Sequence, residues 1–245
     1  FLIDKFKMKK KIILDDYWQD IDSRLEKLVE NGVVKLPSLK QFDLNLLAKN
    51  ISTEMNSSTF KELCYSHRKF LDEIEVNKYL APKLFKIAQE IYKYKGKLSN
   101  QYHIARKVDP GNSKEMYRAH FDSHIFTMVL PIKIPDSTED SCGELIYYTN
   151  ARANPKNEIS NFIDKLYFKK YANKKGLEKL SKYHQKKINN FKDYQPLLFF
   201  GKTTLHTNYP VSPDCSSYRL TLLAHFFDNS PKYGIGSLLR LLRGR

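Results

Sequence analysis

Apolar positions recur at helical spacing in the first hundred residues and at strand spacing after them. From Tyr17 to Glu30, Ile21, Leu25, Leu28 and Val29 fall on one face of a helix, and Asn31-Gly32 supplies its stop. Val33 to Leu36, ahead of Pro37, reads as a short strand. Two more helical patterns cover 43–55, with Leu44, Leu47, Ile51 and Met55, and roughly 82–93, with Leu84, Ile87, Ala88 and Ile91; Pro82 suits a first helical turn. From residue 101 the period changes. Tyr102, Ile104, Arg106 and Val108 mark a strand that ends at the turn signal Asp109-Pro110-Gly111-Asn112. Strand-like runs follow at 116–121, 124–134 and 143–149, with Pro131 and Pro135 expected to interrupt the second. The last strand-like runs are Leu197 to Phe200, Thr203 to Thr207 and Tyr218 to Phe227, and Gly201-Lys202 sits between the first two in a hairpin-like position.

Between these groups lies a stretch of different composition. Residues 150–195 carry 12 Lys/Arg against 4 Asp/Glu, a net of +8, and Phe162, Leu166 and Phe168, then Leu177, Leu180 and Tyr183, suggest short helices. The pattern therefore predicts one α+β, mainly β domain over 1–245. Residues 1–100 form mainly helical support, 101–149 and 196–228 the strands, 150–195 a basic helical insertion, and 229–245 a basic-apolar tail. The tail reads either as an interfacial amphipathic segment or as a helix packed on the core.

Composition narrows the class. With 41% hydrophobic and 13% aromatic residues, the 245-residue chain has the material for a packed core and is not of the disordered type. The net charge of +15 favours anionic partners, namely nucleic acid, a membrane surface or acidic and phosphorylated substrates; its bland reading is a lysine-rich solvated surface. Cys64, Cys142 and Cys215 are scattered, without metal-knuckle spacing or a disulfide framework, which fits a reducing, cytoplasmic compartment. No apolar run approaches the ~20 residues of a membrane span. After Lys9-Lys10-Lys11 the apolar stretch is only Ile12-Ile13-Leu14, so the basic N-terminus does not read as a signal peptide.

Candidate chemistry concentrates in two stretches. Tyr117 to Asp122 contains His120-Phe121-Asp122, and Leu205-His206 is followed by Tyr218-Arg219-Leu220-Thr221. His-x-Asp alone is a weak signal. On a strand, however, residues two apart point to the same face, so His120 and Asp122 would converge, and His206 can complete a set from a distant strand. Two imidazoles and one carboxylate are the facial triad of non-haem Fe(II) sites, which leaves three coordination positions open. Arg219 offers a planar fork for a carboxylate, and Thr221, again two along, a second hydrogen bond.

These residues resemble the 2-oxoglutarate/Fe(II)-dependent oxygenase superfamily, in which a His-x-Asp…His triad binds iron and an Arg about a dozen residues past the distal His binds the 2-oxoglutarate tail. Arg219-Leu220-Thr221 is similar to its Arg-x-Ser variant, and Asn31-Gly32-Val33-Val34-Lys35-Leu36-Pro37 to its opening helix-to-strand phrase. The likeness runs from about residue 12 to 228, and phytanoyl-CoA-dioxygenase-like members are the nearest general match. The resemblance implies a double-stranded β-helix (jelly-roll) with helices packed on one side. It implies Fe(II) on His120, Asp122 and His206, 2-oxoglutarate on Arg219 and Thr221, O₂ as co-reactant, and hydroxylation as the default outcome. Asp122 argues against the halogenating branch, where a small residue makes room for halide. The nucleic-acid demethylase branch carries a second Arg six residues past the first, where this chain has His225. Nucleic acid therefore ranks below a small, lipid-linked or sugar-linked and anionic substrate, with peripheral association at the inner membrane surface as a further expectation.

Other readings stay open. A cupin-like metalloenzyme would not need Arg219, and a basic non-catalytic binding module would not need the triad. His67, His103, His124, His184 and His225 are read as surface or packing residues, with His124 the main rival ligand. Tyr102, Tyr117 and Thr127 are read equally as pocket lining or as packing, and Cys142 as a buried or loop thiol.

Overall fold

A computed structural model describes residues 14–56, 58–62, 64–112, 116–136, 141–155 and 157–228. The basic N-terminal stretch before Leu14 and the 229–245 tail lie outside the described residues, as does the Lys at 156. A helical stretch over 14–18 leads into α1 (Ile21–Asn31). Gly32 closes α1 in the left-handed conformation at φ 75°, its N–H donating to the Leu28 carbonyl 2.8 Å away. Then come β1 (Val33–Lys35), α2 (Leu44–Met55), β2 (Phe60–Glu62), α3 (Tyr65–Glu73), α4 (Val76–Tyr79) and α5 (Ala81–Tyr92). Asp43 caps α2 through Leu46 N–H, and Pro82 sits in the first turn of α5. The strand-rich half holds β3 (Gln101–Val108), β4 (His124–Lys133) and β5 (Leu145–Tyr148). It continues with α6 (Glu158–Lys169), α7 (Lys174–Leu180), β6 (Lys187–Asn189), β7 (Leu197–Phe200), β8 (Leu205–Asn208) and β9 (Arg219–Asp228).

The strands form two antiparallel sheets, a larger one ordered β1-β7-β4-β9-β3-β2 and a smaller one ordered β6-β5-β8. The pleat divides each central strand of the larger sheet between two environments. On β9, Leu220, Leu222, Ala224 and Phe226 join the main core, while Arg219, Thr221, Leu223 and His225 line a cavity. On β4, Phe126, Met128 and Leu130 join the core, and Thr127 and Val129 line the cavity. Leu25, Leu28, Ile51, Met55, Leu84 and Ala88 complete that core, so the helices of the first hundred residues cover one face of the larger sheet. The cavity lies between the sheets, because Leu145, His206 and Asn208 line it from the smaller one.

Several sequence expectations fail here for physical reasons. Residues 116–121 are not a strand: Tyr117 has φ 53°, and only His120 bridges, to His206. Gly201-Lys202 does not join a hairpin, since β7 pairs with β4 in one sheet and β8 with β5 in the other; the turn carries the chain between sheets. Pro131 does not end β4; the strand continues to Lys133 with a register shift against β9 between them. Residues 150–195 are not purely helical, because β6 pairs with β5 at the sheet edge. Val29 and Ile91, expected in the core, are 45% and 47% exposed.

Candidate metal centre

His120, Asp122 and His206 offer ligand atoms that all lie within 4.8 Å of one another. Their convergence comes from loop closure. The extended segment carrying His120 exchanges two backbone hydrogen bonds of 3.1 Å with His206 on β8. Asp122 N–H then donates to the Gly201 carbonyl at 3.0 Å, at the turn between the sheets. Gly201 is needed for its small size: a Cβ there would lie 2.9 Å from Asp122 Cβ and 2.8 Å from Thr127 Oγ1.

The backbone fixes how the two imidazoles present themselves. His120 Nδ1 is 2.7 Å from the Arg118 carbonyl, and His206 Nδ1 is 3.2 Å from the Thr204 carbonyl. A carbonyl only accepts, so each Nδ1 carries the proton and each Nε2 keeps its lone pair. Both Nε2 atoms lie 3.6 Å from the Asp122 carboxylate. Two neutral Nε2 donors and one carboxylate, with the far ring nitrogens tied to backbone, is the donor chemistry that a divalent iron site requires. The residues present fit the ion.

Asp122 is held from behind. Thr127 Oγ1 donates to Asp122 Oδ2 at 2.5 Å and, its proton spent, accepts from His225 Nδ1 at 3.0 Å. Thr127 and His225 face each other directly across β4 and β9. His225, read from sequence as packing, is thus part of the support of the centre. Only the long-range register of two strands could have revealed it. The rival ligand His124 stacks on His225 at 5.0 Å between ring centroids and stays outside the three-residue cluster.

Electrostatics keep the set ready for a cation. Burial pushes the Asp122 carboxyl up, but His206, His225, His120 and the Thr127 hydroxyl outweigh it and hold the group below the usual carboxylate range. Enclosure in the fold, reinforced by His206, lowers His120 to about 4, and burial lowers His225 to about 4. His120 keeps 49% of its side chain open because it stands between the main cavity and a smaller one bounded by Lys165, Phe168 and Lys169.

Arg219 and Thr221 line the same cavity and are 4% and 3% exposed. Among the described residues, the Arg219 guanidinium has no hydrogen bond and no ion pair; its one ring contact is Phe191 at 5.9 Å. Burial, with Arg106 adding like charge and Glu144 opposing, brings it down to about 9, so it is still a cation at neutral pH. Gly143, at φ 80°, makes room for it: a Cβ there would lie 2.8 Å from Arg219 Cδ and 2.9 Å from Val211 Cγ2.

The cavity measures about 740 Å³. Its wall carries Arg106, Arg118, Lys169 and Arg219, with Asp122 the acidic member among the described lining residues. Phe60, Ile104, Val129 and Leu223 add apolar surface. Tyr102 is not in this lining; it stacks on His124 and His225 and borders a separate cavity with Cys64 and His103. Tyr117 packs edge-on against Tyr209 at 6.1 Å. Cys142 lies 3.9 Å from Cys215, sulfur to sulfur, away from the triad.

No family model and no curated protein matches the chain. Solved structures do. A prolyl-4-hydroxylase of Pseudomonas putida superimposes with TM-score 0.51 at 10% identity, covering 85% of this chain and 98% of that one. A prolyl 4-hydroxylase from Phytophthora capsici gives TM-score 0.53 at 13% identity, over 94% and 72%. The non-heme α-ketoglutarate-dependent epimerase SnoN from nogalamycin biosynthesis gives 0.51 at 11%, over 90% and 88%. At such identities the likeness is one of fold: the chain has the jelly-roll architecture shared by these enzymes.

Proposed function

We propose that the chain is an Fe(II)- and 2-oxoglutarate-dependent dioxygenase that hydroxylates an unactivated C–H bond of a small, lipid-linked or sugar-linked anionic substrate. One observation carries the reading. A His-Asp-His set with both Nε2 lone pairs turned toward the carboxylate shares a cavity with a buried arginine that has no hydrogen-bonding or ionic partner among the described residues. A buried, unpaired guanidinium is costly, and a carboxylate arriving from solution would relieve that cost.

In this reading His120, Asp122 and His206 hold the iron, and Arg219 with Thr221 holds the distal carboxylate of 2-oxoglutarate. When bound, the pair couples oxidative decarboxylation of 2-oxoglutarate to insertion of one O₂ oxygen into the substrate. The chain's own work is orientation. Arg118 and Thr204 carbonyls keep each Nδ1–H in place, and the Thr127–His225 pair keeps Asp122 ionised and fixed. Arg106, Arg118 and Lys169 favour an anionic group on the substrate, while Ile104, Val129 and Leu223 suit an apolar body. The phytanoyl-CoA-dioxygenase-like resemblance belongs to the same proposal.

The test is anaerobic absorption spectroscopy of metal-free protein titrated with Fe(II) and 2-oxoglutarate, beside His206→Ala and Arg219→Ala. A visible charge-transfer band, lost in the first variant and weakened in the second, is expected. Fe(II) binding with no band on adding 2-oxoglutarate would overturn the assignment of the cosubstrate.

A further inference from the structure

α6 is built inside out. At 100° per residue, Ile159, Phe162, Ile163, Leu166 and Tyr167 span an arc of roughly 140°, with Phe168 opposite. In a helix packed on a core, the wide apolar arc is the buried one. Here the five are 61%, 40%, 58%, 54% and 54% exposed, and Phe168 is buried at 7%. The helix is nonetheless properly made, with Asn157 and Ser160 forming a reciprocal capping box. Single exposed apolar residues are ordinary, but five contiguous ones on one helix face mark a surface that meets something apolar.

Charge identifies what it meets. Lys165 and Lys169 border one side of the arc and Asp164 lies beyond the other; Lys170 follows at the C-cap, and Lys174, Lys175 and Lys179 are exposed on α7 with Glu178 among them. Lys170 lies over the Tyr167 ring at 3.5 Å, so cation and aromatic share one edge of the patch. An apolar stripe bordered by lysines with an aromatic at its edge is the pattern of a helix lying in an anionic membrane interface. A protein groove would also take the stripe, but six lysines against Glu158, Asp164 and Glu178 give the two helices a net positive charge, which favours a surface of uniform negative charge. No helix among the described residues is long and apolar enough to cross a membrane, so the contact is one of lying on the surface.

We propose that α6, with the lysines of α7, docks the protein on anionic phospholipid bilayers. The inner side of the docking helix reaches the candidate centre. Phe168 packs edge-on against Phe121, the residue between His120 and Asp122, at 5.0 Å, and Lys169 lines the main cavity. Arg152 covers Phe121 at 3.9 Å and is anchored to the Lys202 carbonyl. Docking therefore leaves α6 itself between the lipid surface and the His-x-Asp segment, with Phe168 as the contact on its inner side. The docking itself does not depend on the oxygenase assignment.

The test is co-sedimentation of the full chain with sucrose-loaded vesicles, either pure phosphatidylcholine or phosphatidylcholine with about 30% phosphatidylglycerol. The variants are Ile163→Ser/Leu166→Ser and Lys174→Gln/Lys175→Gln, all at exposed positions. Binding to the anionic vesicles alone is expected. Each lysine near such a surface is worth about fivefold, so the lysine pair should weaken binding ~25-fold. The apolar pair should weaken it by at least about tenfold. Wild-type protein that stays in the supernatant at low salt overturns the proposal, as does binding that both variants retain in full. Light scattering that shows a dimer dissociated by Ile163→Ser would overturn it in favour of a second copy of the chain.

Discussion

Replacing Arg219 by Met should make the metal-free protein more stable and the loaded protein less so. The guanidinium is buried and lowered from 12.5 to about 9, chiefly by burial. At about 1.4 kcal/mol per pKa unit, holding that cation in the fold costs roughly 4–5 kcal/mol. The sign follows: a cation whose folded pKa is depressed penalises folding at every pH below about 9, and the penalty fades only as pH rises from there toward 12.5. Methionine removes the charge and keeps most of the stem beside Gly143 and Val211. It forfeits the Phe191 contact, about 0.5 kcal/mol, and leaves Glu144 without its nearby cation, about 1–2 kcal/mol more. The net gain is about 1.5–3.5 kcal/mol, or roughly 3–14 °C in Tm for a chain of this size. With Mn(II) and 2-oxoglutarate at about 1,000 times Kd, the wild type should gain ~4.1 kcal/mol that the variant lacks. Charge-assisted bonds of about 1.5–3 kcal/mol each should disappear with the fork. The order of the two melting curves should therefore reverse when ligand is added, which scanning calorimetry reads directly. A variant that melts several degrees lower without ligand, and still gains from 2-oxoglutarate, would show that Arg219 is an ordinary structural cation.

Three further outcomes follow from the same geometry. Thr127→Val removes the hydroxyl between His225 and Asp122 and should weaken Mn(II) binding about 10–100-fold by calorimetric titration, with Thr127→Ser largely restoring it; equal affinities would detach Thr127 from the centre. Gly143→Ala presses on Arg219 Cδ and should raise the 2-oxoglutarate Kd several-fold while metal affinity is unchanged; a parallel loss of metal would point to general unfolding instead. Burial holds His103 and His225 at about 4 and His67 well below its ordinary value, whereas an unfolded chain protonates its histidines near 6.5. Between those limits the unfolded state binds more protons, so the metal-free Tm should fall as pH drops from 6.5 through 4; a flat profile from 6.5 to 5 would contradict it.

What was legible in the sequence, and what was not, divides along range of contact. Spacing alone singled out His120, Asp122 and His206, and these three converge, yet not by the route the spacing suggested. A strand would have aligned His120 and Asp122 through its pleat. Instead the segment is a loop, tied to β8 by the His120–His206 bridge and to the inter-sheet turn at Gly201. β9 was legible because its two faces bury different things: the alternation Leu220, Leu222, Ala224, Phe226 is a core stripe, and Arg219, Thr221, His225 is the cavity stripe. β2 and β6, at three residues each, are too short to show any period.

The two misread features share a cause. His225 looked like packing because nothing acidic lies beside it in sequence; Asp122 meets it directly at 3.8 Å and through Thr127, both about a hundred positions away from it along the chain. α6 showed the opposite error. Phe162 and Leu166 gave a helical apolar period, which locates a helix but not the direction it faces, and the structure turns them outward. A period records that one face differs from the other. Which face is buried depends on what the rest of the fold presents, and here Phe121 takes up Phe168 on the inner side. The helix that supports the His-x-Asp segment thus has a second apolar face left for something other than this chain's core. That is why the insertion looked from sequence like ordinary helical packing with surplus charge, when charge and exposed apolar stripe belong to one surface.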